Sequence, residues 1–189
     1  MSMILRLVTL SDTNIENLLR DPPLVWRVIA PDDLEPYEAA REQEGRSDPN
    51  PPDLFSASGE GYSEHLDKAW HGIHYLLTGT AWEGTMPLSF LLAGGREVGD
   101  IDVGYGPARV FTAAETKEIA AALATVHAPG LRARFDAHDM AVKDIYPSIW
   151  DRTAQDDDPL GYLVAYFGTL RGFLGQSVQD GLGFVVYTT

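Results

Sequence analysis

Asp67, His71 and His74 stand at offsets of four and three residues, a spacing that puts all three side chains on one side of a helix. Two imidazoles and a carboxylate so placed suit zinc, nickel or non-haem iron. They equally suit general acid–base work, because histidine titrates near neutral pH. A metal centre would need a further ligand from elsewhere in the chain, such as His138 or Asp139. The plainer alternative is structural: Asp67 and His71 as a helix-surface pair, with His74 packed near Trp70 and Tyr75. No metal is assigned on this pattern.

A second candidate is Gly104-Tyr105-Gly106-Pro107-Ala108-Arg109. A glycine-rich turn exposes backbone N–H groups, and a neighbouring guanidinium grips phosphate or carboxylate bidentately. Tyr105 and Arg109 are therefore candidate ligand-binding residues. The segment has no Gly-Lys-Ser/Thr and no third glycine before a helix, so it is neither a P-loop nor a dinucleotide fingerprint; a tight turn is the alternative. Arg171 is the third candidate, a charge within an apolar helix that must find a carboxylate or reach solvent. With no cysteine in 189 residues, disulfides, thiolate zinc, iron–sulfur clusters and a cysteine nucleophile are excluded. No cofactor is expected.

The elements that carry these residues read as follows. Met3–Leu10 is an opening strand. Ser11 caps a helix over Asp12–Arg20, and the prolines at 22 and 23 restart the chain into Leu24–Ile29. Glu35–Glu44 forms a short helix, and Ser47–Pro52 is a loop by composition. Glu64–Thr78 is the clearest helical pattern, ended by Gly79. Leu88–Ala93 is a further apolar run. Short strands are expected at Asp100–Val103 and Arg109–Phe111, and the capping box Thr112-Ala113-Ala114-Glu115 opens a helix over Ala113–Val126. Pro129–Phe135 and Asp136–Tyr146 are two further helices. The run Asp156-Asp157-Asp158-Pro159 lacks calcium-loop spacing and reads as the start of a helix over Leu160–Gln179. That helix is apolar nearly all round, with a stripe of small residues at Gly161, Ala165, Gly168, Gly172 and Gly175. It is expected at the centre, the glycines answering close approach of another backbone or docking of a subunit. Phe184–Thr188 is a terminal strand. The whole predicts an α+β fold: one domain over residues 1–189, with several helices on a small mixed sheet that includes both terminal strands.

Three segments together resemble the YfbM-like bacterial family. They are Leu66-Asp67-Lys68-Ala69-Trp70-His71-Gly72-Ile73-His74-Tyr75-Leu76-Leu77-Thr78-Gly79, then Gly104-Tyr105-Gly106-Pro107-Ala108-Arg109, then Ile145-Tyr146-Pro147 with Trp150. Their order and spacing match from the N-terminal strand to Thr189. The resemblance implies a soluble α+β protein of a family with no settled catalytic residues and no known function.

Charge carries the remaining signal. Lys and Arg number 14 against 28 Asp and Glu, a formal charge of −14. Such a balance argues against nucleic-acid binding, which needs cations to displace counterions. Residues 31–61 concentrate it, with five of the twelve prolines and nine acids against two bases, and are expected to be an exposed acidic segment. No uncharged apolar stretch is long enough to span a membrane and no targeting segment is visible, so a cytoplasmic location is expected. An acidic surface steers and holds a basic protein, as immunity proteins do with basic toxins. The function expected is therefore a non-catalytic acidic binding protein with a basic protein partner. The alternative is a small-molecule-binding protein or enzyme whose site is built on Asp67, His71 and His74.

Overall fold

The computed structural model describes residues 2–45, 53–152 and 158–189. Five strands form one sheet: β1 (Leu5–Leu10), β2 (Ser63–His65), β3 (Arg96–Asp102), β4 (Pro107–Phe111) and β5 (Gly183–Thr188), in the order β2-β1-β5-β4-β3. Every pairing is antiparallel, so the sheet expected to be mixed is antiparallel throughout. The two termini meet at its centre, with Leu5 opposite Thr188 and Leu10 opposite Gly183.

The period-two alternation of the central strands sorts two cores. On one face Leu5, Leu7, Phe111, Phe184 and Val186 join a cluster that runs through Trp70, Ile73, Trp150, Leu163 and Phe173. On the other, Val8, Leu10, Val110, Val185 and Tyr187 join Ile15, Leu18, Val25, Tyr37 and Leu54. The helices accordingly lie on both sides. Helices α1 (Asp12–Arg20), α2 (Val25–Ile29) and α3 (Glu35–Gln43) cover the second face, with a single 3-10 turn at Pro22–Leu24. Helices α4 (Trp70–Thr78), α5 (Ala113–Ala124), α6 (Ala128–Arg134), α7 (Ala137–Val142) and α8 (Pro159–Gln179) cover the first. The expected caps operate: Ser11 accepts from the amide of Asn14, Thr112 and Glu115 form the capping box, and Gly79 ends α4 at φ 78°.

Two elements depart from the expectation. The pattern over Glu64–Thr78 is not one helix, because residues 63–65 pair with the outer edge of β1 and the amide of Leu66 donates to the carbonyl of Leu5 at 2.8 Å. Satisfying that edge delays the helix to Trp70, and the chain turns through Asp67 at φ 43°. Helix α8 is long, as expected, but its small residues do not face a backbone. Ala165, Gly168 and Gly172 are exposed, and an added Cβ at Gly168, Gly172 or Gly175 would meet nothing within 4 Å.

The described parts of the acidic segment are more firmly held than their composition suggests. Tyr37, Arg41 and Leu54 are buried, and the Glu60 carboxylate receives the amides of Ser11 and Ala57 and the Asn14 side chain, each at 2.8 Å. The loop expected at Ser47–Pro52 lies outside the described residues, as do Asp156 and Asp157. Asp158 is described, and its side chain caps α8 through the amide of Gly161.

Candidate functional site

The late start of α4 separates the first candidate trio. Asp67 precedes the helix, and its carboxylate accepts a hydrogen bond from the Tyr162 hydroxyl of α8 at 2.8 Å. The same hydroxyl accepts from the Lys68 amide at 3.1 Å. Burial, and then the neighbouring Asp67 charge, push the Tyr162 hydroxyl above its ordinary pKa, so it stays a neutral donor. Asp67, Lys68, Pro147, Ile149, Arg152 and Tyr162 border an opening of about 350 Å³.

His71 and His74 are fully buried and directed elsewhere. The Nε2–H of His71 donates to the carbonyl of Ala81 at 2.7 Å, while its Nδ1 accepts from the Tyr146 amide at 3.0 Å. These two contacts fix the neutral tautomer. Its ring lies between Trp70 and Trp82, at centroid distances of 5.0 and 4.3 Å. His74 donates from Nε2 to the carbonyl of Glu83 at 3.0 Å, and its buried Nδ1 has no hydrogen-bond partner among the described residues. Burial lowers both pKa values, that of His74 to about 4. The pair thus ties the loop after α4 to the core. Asp139, weighed as a further ligand, is taken by the Tyr75 hydroxyl at 2.6 Å and by Lys143. Among the described residues, no group of three or more His, Asp or Glu is arranged to hold a metal.

The glycine-rich turn joins β3 to β4, and its amides are already used. Gly104 and Gly106 donate to one oxygen of Asp102 at 2.8 and 3.0 Å, and Tyr105 donates to the carbonyl of Thr188 at 3.2 Å. The Tyr105 side chain is 47% exposed. Arg109 points inward from β4. Its guanidinium donates to the carbonyls of Phe90, Leu91 and Gly94 at 3.1, 2.6 and 2.8 Å, gathering the turn-rich segment that the apolar run at 88–93 forms. Burial brings its pKa down to about 10, and it remains charged at neutral pH. Arg171 is exposed on α8, and no carboxylate among the described residues pairs with it.

The acidic candidates lie on the opposite face of the sheet. Asp32, Asp33, Glu35, Glu38, Glu42 and Glu44 are all exposed around α3. Arg41, the one described base of that stretch, is buried, its guanidinium forked onto Asp21 at 2.7 and 2.5 Å. Beside α3 runs a groove of about 500 Å³ whose lining includes Trp26, Pro36 and Ala40 from the helical layer and Asp100, Ile101 and Asp102 from β3. Sequence reasoning missed Trp26. No local pattern signals it, because the groove is assembled from segments far apart in the chain.

Similarity to known proteins bears on the fold. No curated protein matches the sequence. Among solved structures, YfbM from Escherichia coli, described as a protein of unknown function, is similar over 98% of this chain and 99% of its own, with a TM-score of 0.66 at 17% identity. At that identity the likeness shows a shared fold, in keeping with the resemblance carried by the α4, β3–β4 and Tyr146-Pro147 segments. The model of a domain of unknown function, DUF1877, matches residues 1–187, and the chain belongs to that family.

Proposed function

We propose that this protein is a non-catalytic binding protein whose acidic face, built around α3, holds a basic protein partner. The observation that carries the reading is the uneven use of charge in that face. Asp32, Asp33, Glu35, Glu38 and Glu42 project into solvent, while Arg41 is turned inward onto Asp21 and also pairs with Glu44 at 3.7 Å. Surface charge of one sign speeds encounter with an opposite patch and fixes its orientation. A partner with the character of a toxin neutralised by an immunity protein fits this chemistry. The two candidate histidines are meanwhile engaged in holding a loop.

The reading is tested by isothermal titration against a panel of basic proteins at low and at high salt. A saturable complex that weakens with salt is expected, and replacing Asp32, Asp33, Glu42 and Glu44 by Lys should abolish it. If every partner detected still binds the reversed variant, the acidic face is not the binding surface.

One observation favours the alternative, a small-molecule or catalytic site: the Asp67–Tyr162 pair beside its 350 Å³ opening. That site would use Asp67 without His71 or His74. A ligand at about 100 times its Kd adds about 2.7 kcal/mol to the folded state. A melting shift with metals, nucleotides or metabolites that vanishes in Asp67→Ala would support it. No shift from the panel, or one that survives in the variant, removes it.

A further inference from the structure

We infer that the groove between α2, α3 and β3 is the seat of a single arginine or lysine side chain presented by the basic partner, an inference that rests on the binding reading above. The groove has the two parts such a side chain needs. Trp26 is half-buried and, with Pro36, Ala40 and Ile101, offers apolar surface to the aliphatic stem. Arginine and lysine stems lie along such surfaces while their heads stay polar, and an indole face attracts the cation itself. At the β3 side stand Asp100 and Asp102. The Asp102 carboxylate is held in place by the amides of Gly104 and Gly106, which lower its pKa. It therefore meets an incoming cation already oriented and ionised, so little ordering is needed on binding. An anionic side chain would face these carboxylates, and a purely apolar one would leave them without a counter-charge. The chemistry selects a cation with a long hydrocarbon stem.

The test uses the full-length protein and an arginine-bearing peptide, with a peptide carrying citrulline at the same positions. Binding is followed by titration calorimetry and by the indole N–H resonances of the four tryptophans, that of Trp26 assigned with Trp26→Phe. The arginine peptide should shift the Trp26 resonance and leave those of Trp70, Trp82 and Trp150 in place. Trp26→Ala should weaken binding about tenfold, between the exposed and the fully desolvated values of a cation–π contact. Ala39→Arg, at an exposed position of α3 that lines the groove, should do at least as much without disturbing the fold. Asp100→Lys should weaken binding at least tenfold, whereas Glu118→Lys on α5, the same change in net charge made away from the groove, should change affinity less than twofold. If the groove variants and Glu118→Lys weaken binding equally, the protein binds cations by overall charge; the groove assignment fails and the acidic binding reading survives. If the citrulline peptide binds as well as the arginine peptide, the groove does not read charge and the inference is overturned. If no basic peptide binds at low salt, both readings fall together.

Discussion

Acidification from pH 7.5 to pH 5 should cost this protein stability through its buried histidines, His74 above all. In the folded chain its Nε2–H is committed to the carbonyl of Glu83, and its Nδ1 sits buried with no partner among the described residues. A proton on Nδ1 would place a charge in a site that offers it no acceptor. Burial, opposed by the Glu83 hydrogen bond and aided by the neighbouring His71, therefore lowers the pKa from 6.5 to about 4. The sign follows directly. Below pH 6.5 the unfolded chain takes up a proton that the folded chain refuses, so stability present at neutral pH is lost as the pH falls from 6.5 toward 4. The full loss is about 3 kcal/mol, of which about 2 kcal/mol falls between pH 7.5 and pH 5. In a chain of this length, that lowers the melting temperature by about 4–8 °C. His71, also depressed by burial, acts in the same direction.

The comparison that isolates His74 is His74→Gln, whose side-chain amide keeps a donor for the Glu83 carbonyl and has no proton to gain. Both proteins are melted at pH 7.5 and at pH 5, a window that stays above the range in which the hydrogen-bonded carboxylates of Glu60 and Asp139 lose their own contribution. Relief of repulsion in a chain of charge −14 stabilises both at the lower pH and cancels in the difference. The variant should be less stable at pH 7.5, yet lose about 2 kcal/mol less than the parent on going to pH 5. Parallel loss in the two proteins would mean that His74 accepts a proton in the folded state as readily as in the unfolded one, and the assignment of a buried neutral imidazole would be wrong.

The glycines give a paired prediction. Gly168→Ala and Gly172→Ala, on the exposed face of α8 with nothing within 4 Å of an added Cβ, should each stabilise by about 0.5–1 kcal/mol in chemical denaturation. Gly72→Ala would instead bring a Cβ within 2.7 Å of Leu163 and 2.9 Å of Trp150, and should destabilise by about 1–3 kcal/mol. Replacing Arg109 by Met leaves the carbonyls of Phe90, Leu91 and Gly94 without their donor. A loss of about 2–3 kcal/mol is expected, with faster amide exchange confined first to residues 88–95. Thr112→Ala should cost about 1 kcal/mol in a urea titration by removing half of the capping box.

Local rules carried most of the fold. Caps and turns at Ser11, Thr112 and Gly79 act within a few residues, so their chemistry is visible in the sequence, and α1, α5 and β5 fall where they were expected. What depends on distant partners was not visible. Residues 64–69 share a helical pattern with Trp70–Thr78, but the free edge of β1 claims them, and the identity of that neighbour is set by the sheet order. The stripe on α8 is legible as a pattern, whereas the side of the helix that faces solvent depends on α5 and β5, which pack on its other flank. Arg109 carried the right signal, a guanidinium seeking acceptors, but the acceptors are backbone carbonyls whose positions no residue identity encodes. The groove at Trp26 joins α2 and α3 to β3, elements far apart in the chain, and no local pattern could bring them together.

The residues that make the chain recognisable are the ones most occupied with folding. His71 joins the Ala81 carbonyl to the Tyr146 amide. Trp70 donates from its indole to the carbonyl of Met3 at 3.1 Å and stacks on Tyr146 at 5.9 Å. Gly72 leaves the space that Trp150 fills. Arg109 closes the turn-rich segment before β3. Each motif thus binds one distant part of the chain to another. Recognition by these motifs therefore transmits architecture and leaves activity open. A surface that selects a partner is under no such packing constraint. In this chain a cluster of exposed acids lies around α3, outside all three motifs and beside a groove lined by Trp26. Binding specificity is therefore expected to follow the residues of α2, α3 and the end of β3, and exchanging those segments between two proteins of this fold should exchange their partners while leaving the α4 interlock and the stability it supplies unchanged.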